Sequence, residues 1–288
     1  MLSYWIARIA SSLACLLPAC LAEALGRALG AFAWIFVPKR RKVLAKGNIM
    51  RCLHVEEAEA ERIAKASAVR FGPMLMEVLR FSVLKRNMKD SVTITGGEYL
   101  EKAVESGRGG IIATAHSGNW ELMGGALSQA GFPIVGVAMK QKSEGSDKFI
   151  NEQRTGIGMH ITYKTNVREM YDMLAKGWFI GLIMDQDTNK HDGIILDFFD
   201  QPTNCVPGAA SMARFKNVPI FPGFMHRKED GTHELIIMPP IEMEKTKDKR
   251  EDIRRVTQKI IKLQEEHIRK YPEEWFWLHD RWKSIREE

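Results

Sequence analysis

Cysteine is scarce in this 288-residue chain. There are four, Cys15, Cys20, Cys52 and Cys205, and no Cys-x-x-Cys spacing among them. That argues against a disulfide scaffold and a cysteine-based zinc site, and for reduced thiols in a cytoplasm-facing protein. Long hydrophobic runs are also missing. No charge falls between Arg8 and Glu23, or between Arg27 and Lys39, yet each run is shorter than the roughly 20 apolar residues of a spanning helix. A mean hydropathy of −0.23 excludes a polytopic membrane protein. Internal repeats, long linkers and recognisable nucleic-acid modules are absent. The net charge is +6, but the basic residues are scattered among acids, so no nucleic-acid partner is expected. A 27 % charged content with seven Trp and thirteen Phe excludes a disordered chain.

What is present begins with an unusual first fifty residues. Two apolar helical stretches lead to Lys39-Arg40-Arg41-Lys42, with Lys46 behind. Trp5, Phe32, Trp34 and Phe36 are residues of the type that sit at membrane interfaces. Apolar helices followed by a basic cluster predict a segment in or on an anionic leaflet. Three other readings compete. Residues 1–22 could be a signal peptide, Leu17-Pro18-Ala19-Cys20 resembles a lipoprotein cleavage box, and an ordinary buried helical hairpin has similar composition. The weak positive start and the second apolar run count against processing.

From there the pattern alternates between helix and strand. Residues 56–85 read as helix, kinked or broken at Gly72-Pro73. Strands are predicted at 92–94, 110–115, 133–139, 178–184, 218–224 and 234–238. Helices are predicted at 98–106, 119–130, 145–156, 166–176, 207–216 and 252–267. The near-continuous apolar run from Trp178 to Met184 suits a strand covered on both faces. The order implies an α/β fold, a mixed and largely parallel sheet flanked by helices. Two parts are expected: residues 1–50 as an apolar, membrane-associating helical segment, and residues 51–288 as one catalytic domain.

The chemistry centres on His116. An apolar strand ends there, Ser117-Gly118-Asn119 makes a short turn, and a helix carrying Glu121 begins. Functional groups collect at such C-terminal strand ends. Ser117 or Asn119 is the candidate cap of the helix, whose free N–H groups suit a developing anion. His116 and Glu121 are five apart, about 140° around a continuous helix, so they do not form the i, i+4 pair of a zinc protease. With a bend between them, the carboxylate can fold back onto the imidazole, fix its tautomer and stabilise the imidazolium. No Ser or Cys nucleophile is obviously paired with them. The pair therefore reads as a base that activates a substrate hydroxyl directly; a structural histidine beside a surface glutamate is the bland alternative.

His-x-x-x-x-Asp/Glu after an apolar strand resembles the signature of the glycerolipid acyltransferase superfamily. The fuller string His116-Ser-Gly-Asn-Trp-Glu121 resembles one branch, the bacterial late acyltransferases of lipid A biosynthesis. Lys39-Arg40-Arg41 with Asn48-Ile49, Met184-Asp185-Gln186-Asp187 with Leu196-Asp197-Phe198-Phe199, and Trp277-Leu278-His279-Asp280-Arg281-Trp282-Lys283 resemble that family's other motifs, in order along nearly the whole chain.

The resemblance implies His116 as general base with Glu121 as its orienting partner. It also implies functional roles for Arg154 and Asp185. Asn119 and Asp187, beside these residues, are further candidates for binding or support. By spacing alone Arg154 is either a surface arginine or a fork onto phosphate or oxyanion. Asp185 and Asp187 are turn formers, metal ligands with Asp192, or active-site hydrogen bonders; the Gly and Glu of a calcium loop are out of register.

The implied reaction moves an acyl chain from acyl carrier protein, or coenzyme A, to a hydroxyl of a lipid A precursor at the cytoplasmic face of the inner membrane, without metal or cofactor. Lysophospholipid or phosphatidylinositol mannoside is the alternative acceptor, and a non-catalytic lipid-binding protein the alternative class. Lys140, Lys142, Lys245, Lys247, Lys249 and Arg250 read as solvated charges, some of them carrier-docking candidates. One departure stands out. The family's Thr-rich stretch is replaced by Pro202-Thr203-Asn204-Cys205-Val206-Pro207-Gly208, which leaves acceptor identity open. Cys205 reads as a plain loop cysteine.

Overall fold

The computed structural model describes residues 1–189 and 191–286. Five helices come first: α1 (Leu2–Leu16), α2 (Ala19–Phe36), α3 (Lys39–Leu53), α4 (Glu57–Val69) and α5 (Phe71–Leu79). Pro18 and Pro38 stand at the N-caps of α2 and α3, with φ of −55° and −56°. There, a residue without an N–H separates successive helices at no cost in hydrogen bonds. The expected break in residues 56–85 falls at Arg70, not at Gly72-Pro73. Those two residues lie in the first turn of α5, where the absent N–H of Pro73 is among the donors a helix leaves unpaired anyway.

Glycine sets how closely α2 approaches α5. A Cβ on Gly26 would lie 2.7 Å from the Pro73 nitrogen, and one on Gly72 would lie 1.8 Å from the Gly26 oxygen. The two helices therefore cross backbone to backbone. This leaves the other face of α2 open, with Leu25, Leu29, Phe32 and Phe36 exposed; Trp5, Ile9, Leu13 and Leu16 are exposed on α1. Trp34 departs from the expectation for an interfacial aromatic. It is half-buried against the internal cluster of Ile49 and Trp277, with Lys42 Nζ 4.7 Å from its ring.

After α6 (Phe81–Leu84) and α7 (Met88–Ser91) the chain alternates. It runs β1 (Val92–Thr95), α8 (Gly97–Glu105), β2 (Gly110–Thr114), α9 (Trp120–Gln129), β3 (Ile134–Ala138), α10 (Glu144–Gly156), β4 (His160–Tyr163), α11 (Val167–Ala175), β5 (Phe179–Ile183), β6 (Ile194–Phe198), β7 (Gln201–Cys205), α12 (Gly208–Lys216), β8 (Ile220–Arg227), β9 (His233–Ile237), α13 (Lys249–Lys270) and α14 (Lys283–Arg286). Seven strands form one sheet in the order β1-β9-β8-β2-β5-β3-β4. Every neighbouring pair is parallel except β8 with β9. The fold is the α/β class expected, with a mixed, largely parallel sheet.

Burial on both faces explains the unbroken apolar strands. On β2, Ile112 joins Leu122, Met123 and Phe221 on one side. Ile111 and Ala113 join Ile180, Ala209 and Ile260 on the other. A third cluster ties α3 and α4 to the C-terminal segment through Ile49, Ile63, Trp275 and Trp277. Residue 50, the expected boundary, falls inside α3, whose buried face belongs to this cluster.

Two features had no sequence signal. Strand β4 is short, and β6–β7 is a separate antiparallel hairpin. Its two-residue turn, Phe199-Asp200, has φ of 53° and 57°. Such turns usually announce themselves with Asn-Gly or Asp-Gly. Here Phe199 is buried against Trp277, ring centroids 6.3 Å apart, and packing holds a turn the local sequence disfavours.

Candidate active site

Strand β2 ends at Thr114, and the next five residues form the turn that carries His116. Asn119 caps α9, its Oδ1 accepting from the Leu122 N–H at 3.0 Å. Gly118 has φ of 59°, and a Cβ there would lie 2.1 Å from the Met225 oxygen, so only glycine fits. The Gly118 N–H donates to the Glu274 carbonyl at 3.0 Å. Gln264 on α13 donates to the Thr114 carbonyl at 3.1 Å.

Sheet register decides the partner of His116. Thr114 on β2 pairs with Ile183 on β5. Two residues past each strand end, His116 and Asp185 meet. The Asp185 carboxylate takes the His116 main-chain N–H at 3.0 Å and faces Nδ1 at 2.8 Å. The Trp275 indole N–H donates to the same carboxylate at 2.6 Å. Asp185 is buried. Burial alone would raise its pKa, but the imidazole, the His116 N–H and the Trp275 indole together hold it below the usual carboxylate range. An ionised Asp185 accepts a hydrogen bond from Nδ1–H, which keeps the proton on Nδ1 and leaves the Nε2 lone pair free. The side chain of His116 is 22 % exposed, so that lone pair is reachable.

Glu121 does not occupy the place expected for it. Its two oxygens accept from Arg154 Nε at 2.7 Å and Nη2 at 2.6 Å, a bidentate pair linking α9 to α10. The physical reason is the Gly118 turn and the Asn119 cap. They start a new helix direction after His116, and Glu121 leaves in that direction toward α10. Arg154 is likewise not a lone surface arginine; it also donates to Asn151 Oδ1 at 3.3 Å. The residue orienting His116 is Asp185, 69 positions away in the chain.

Asp187 faces the C-terminal segment. It accepts from the Ser284 N–H and hydroxyl, both at 2.7 Å, and its own N–H donates to His279 Nε2 at 3.1 Å. Asn119 has a second role besides the cap, since its Nδ2 donates to Glu77 at 2.7 Å. Sequence reasoning missed Trp275, Arg70 and Glu77. Trp275 lies two residues before a motif that was recognised; the other two sit on helix positions with no local chemical signature.

Beside His116 stands an aromatic wall. Trp120 meets the imidazole edge-on at 4.9 Å, Phe71 lies 6.0 Å from Trp120, and Phe276 lies 5.1 Å from Phe71. Neither Ser117 nor Cys205 is accessible to a substrate. The Ser117 hydroxyl is buried, 3.0 Å from His267 Nε2. Cys205 is buried with Arg281 Nη2 3.0 Å from its sulfur, and burial pushes its pKa up.

The arrangement offers one reachable base, one buried carboxylate behind it and an apolar wall alongside. Comparison with known proteins fits it. The model of the bacterial lipid A biosynthesis acyltransferases matches residues 1–284. A phosphatidylinositol mannoside acyltransferase of Mycolicibacterium smegmatis is 24 % identical over 82 % of this chain and 77 % of its own length. A lipid A biosynthesis acyltransferase of Haemophilus influenzae is 23 % identical over 83 % and 75 %. The lipid A biosynthesis palmitoleoyltransferase of Escherichia coli is 23 % identical over 90 % and 84 %. This chain belongs to the bacterial lipid A biosynthesis acyltransferase family.

Proposed function

We propose that this acyltransferase moves a fatty acyl chain from an acyl carrier protein thioester, or coenzyme A, to a hydroxyl of a lipid A precursor or related glycolipid. The observation that carries the reading is the His116–Asp185 pair at the C-terminal ends of two adjacent central strands. His116 Nε2 takes the proton of the acceptor hydroxyl as its oxygen attacks the thioester carbonyl. The tetrahedral intermediate then collapses. The thiolate leaves, and the proton on Nε2 goes to it. Asp185 stabilises the transient imidazolium, as in a triad. General base catalysis supplies about 10²–10⁴-fold, so positioning and oxyanion stabilisation supply the rest. The buried Ser117 and Cys205 support direct attack without an acyl-enzyme.

Membrane association is supported by α1 and α2. Helix α2 is apolar enough to cross a bilayer by composition. Its 18 residues reach about 27 Å, against roughly 30 Å of hydrocarbon. Its glycine face is seated on α5, and Glu23 and Arg27 lie in its first half, with Glu23 3.8 Å from Arg227 on β8. These contacts favour a helix lying flat with its apolar face in lipid; the cytoplasmic side of the inner membrane is the side our reading assigns, because acyl carrier protein and coenzyme A thioesters are cytoplasmic donors. The basic run from Lys39 to Lys42 then faces anionic headgroups.

The mycobacterial relatives favour one alternative acceptor, a phosphatidylinositol mannoside. A mass spectrum of lipids from cells with the intact gene and with His116→Ala separates the readings. Lipid A lighter by one acyl chain in the variant establishes the proposal. A change confined to mannosides or phospholipids replaces the acceptor. Retained turnover by purified His116→Ala removes the general base.

A further inference from the structure

The catalytic turn is gripped from one side by a single helix and the residue before it. Arg70, at the α4–α5 junction, spends two guanidinium nitrogens on main-chain carbonyls: Nη1 on Gly118 at 2.7 Å and Nη2 on His116 at 2.9 Å. No carboxylate is within ion-pair distance of it among the described residues, and its Nε is shut away from solvent without a partner. Burial pulls its pKa down to about 10, so the charge is held there at a cost. Two turns along α5, Glu77 accepts from Asn119 Nδ2 at 2.7 Å, and it also pairs with Arg227 and, at 2.9 Å, with His233 Nε2. Asn119 is the cap of the helix that starts just after His116. Between these two grips, Gly72 presses on the backbone of α2. Arg70 also lies over the ring of Phe71, 4.5 Å from its centroid, in the aromatic wall.

We propose that Arg70 and Glu77 are positioning residues for His116. Through them, α5 and the residue before it hold the catalytic turn at His116, Gly118 and Asn119, so that the imidazole stays in line with Asp185. A buried arginine that binds two carbonyls two residues apart fixes the turn's path, which a single hydrogen bond cannot do. Lysine at that site reaches one carbonyl at best. The carboxylate of Glu77 fixes the Asn119 amide, and with it the direction in which the capped helix departs. Neither residue is assigned to the substrate.

The inference rests on His116 as the base, and two readouts separate the two ideas. The first is kinetic, on Arg70→Lys and Glu77→Gln, each compared with wild type for kcat, KM, pH profile and unfolding midpoint. The expected result is a kcat at least tenfold lower for Arg70→Lys and severalfold lower for Glu77→Gln. Both KM values should stay within about twofold, with the acid limb of the kcat profile displaced. A wild-type kcat in both variants, or a loss matched by the fraction unfolded, overturns the proposal. The second readout needs no turnover: the rate at which diethyl pyrocarbonate modifies His116, followed on its peptide by mass spectrometry. A severalfold change in folded Arg70→Lys supports the grip even if His116→Ala were to retain activity. An unchanged rate, with the fold intact, refutes it.

Discussion

Asp185 meets His116 twice, at the ring nitrogen and at the main-chain N–H, because β2 and β5 run parallel in a register that ends Thr114 opposite Ile183. A carboxylate held so can neither drift from the ring nor let the ring turn. Asp185→Asn keeps the shape but offers an amide that cannot stabilise the imidazolium. By analogy with a triad aspartate, kcat should fall about 10⁴-fold, with KM little changed. Steady-state kinetics on the folded variant checks this.

Glu121→Gln should behave differently. Its carboxylate and Arg154 are about 12 % and 14 % exposed, so breaking the pair leaves a largely buried guanidinium uncompensated. The expected loss is of order 3–5 kcal/mol in stability, read as a lower denaturation midpoint, with activity falling in step. A fully stable but inactive Glu121→Gln would return the orienting role to Glu121.

Acid should loosen the fold beneath the catalytic turn. His267, buried behind Ser117, has a pKa lowered to about 3, chiefly by burial. The unfolded chain takes up this proton near pH 6.5 and the folded chain does not. Stability therefore falls as pH drops from 6.5 toward 3, by up to about 1.4 kcal/mol per unit from this group. Urea midpoints at pH 7.5 and 5.5 measure the slope, and His267→Gln should flatten it.

Two groups of exposed lysines lie at opposite ends of the sheet. Lys140 and Lys142 follow the C-terminal end of β3, the end that carries His116; Lys245 and Lys247 follow Ile241, which pairs with the start of β8. If the acidic carrier docks at the open end, Lys140→Glu with Lys142→Glu should raise its KM severalfold. Lys245→Glu with Lys247→Glu should leave it unchanged. Equal effects would dismiss a docking site there.

The apolar face of the first two helices should govern lipid binding without governing the fold. Leu13 and Phe32 are exposed and contribute little to the core. Burying such a side chain in lipid is worth about 1.5–3 kcal/mol. Leu13→Asp with Phe32→Asp should therefore weaken binding to phosphatidylglycerol vesicles by well over tenfold in a flotation assay. The unfolding midpoint should stay near wild type.

Much of the fold was legible because burial on both faces of a sheet writes long apolar runs, as at Gly110–Thr114, buried throughout, and at the start of Phe179–Ile183, whose last residue is exposed. The hairpin at 194–205 was not, because Phe199 sits in its turn where glycine or asparagine would have marked it. Within the site, His116 and Asn119 stand where a strand end and a helix start meet and are legible by that logic, whereas position left the role of Asp185 open and only the family resemblance singled it out. The pairing was misread. Proximity in sequence put Glu121 beside His116, whereas the partner is chosen by strand register, which no local pattern records. Arg70 and Glu77 escaped notice because their function lies in what they reach across the fold.

The strand-borne pair has a consequence for how such an enzyme changes over time. His116 and Asp185 are fixed by the sheet, while the aromatic wall and the lipid-facing surface come from helices and loops packed around it. Residues such as Phe71, Phe32 and Phe276 can be exchanged without disturbing a single ladder hydrogen bond. If His116 and Asp185 carry the proton chemistry as proposed, selection can retune which lipid enters while leaving that chemistry as it was.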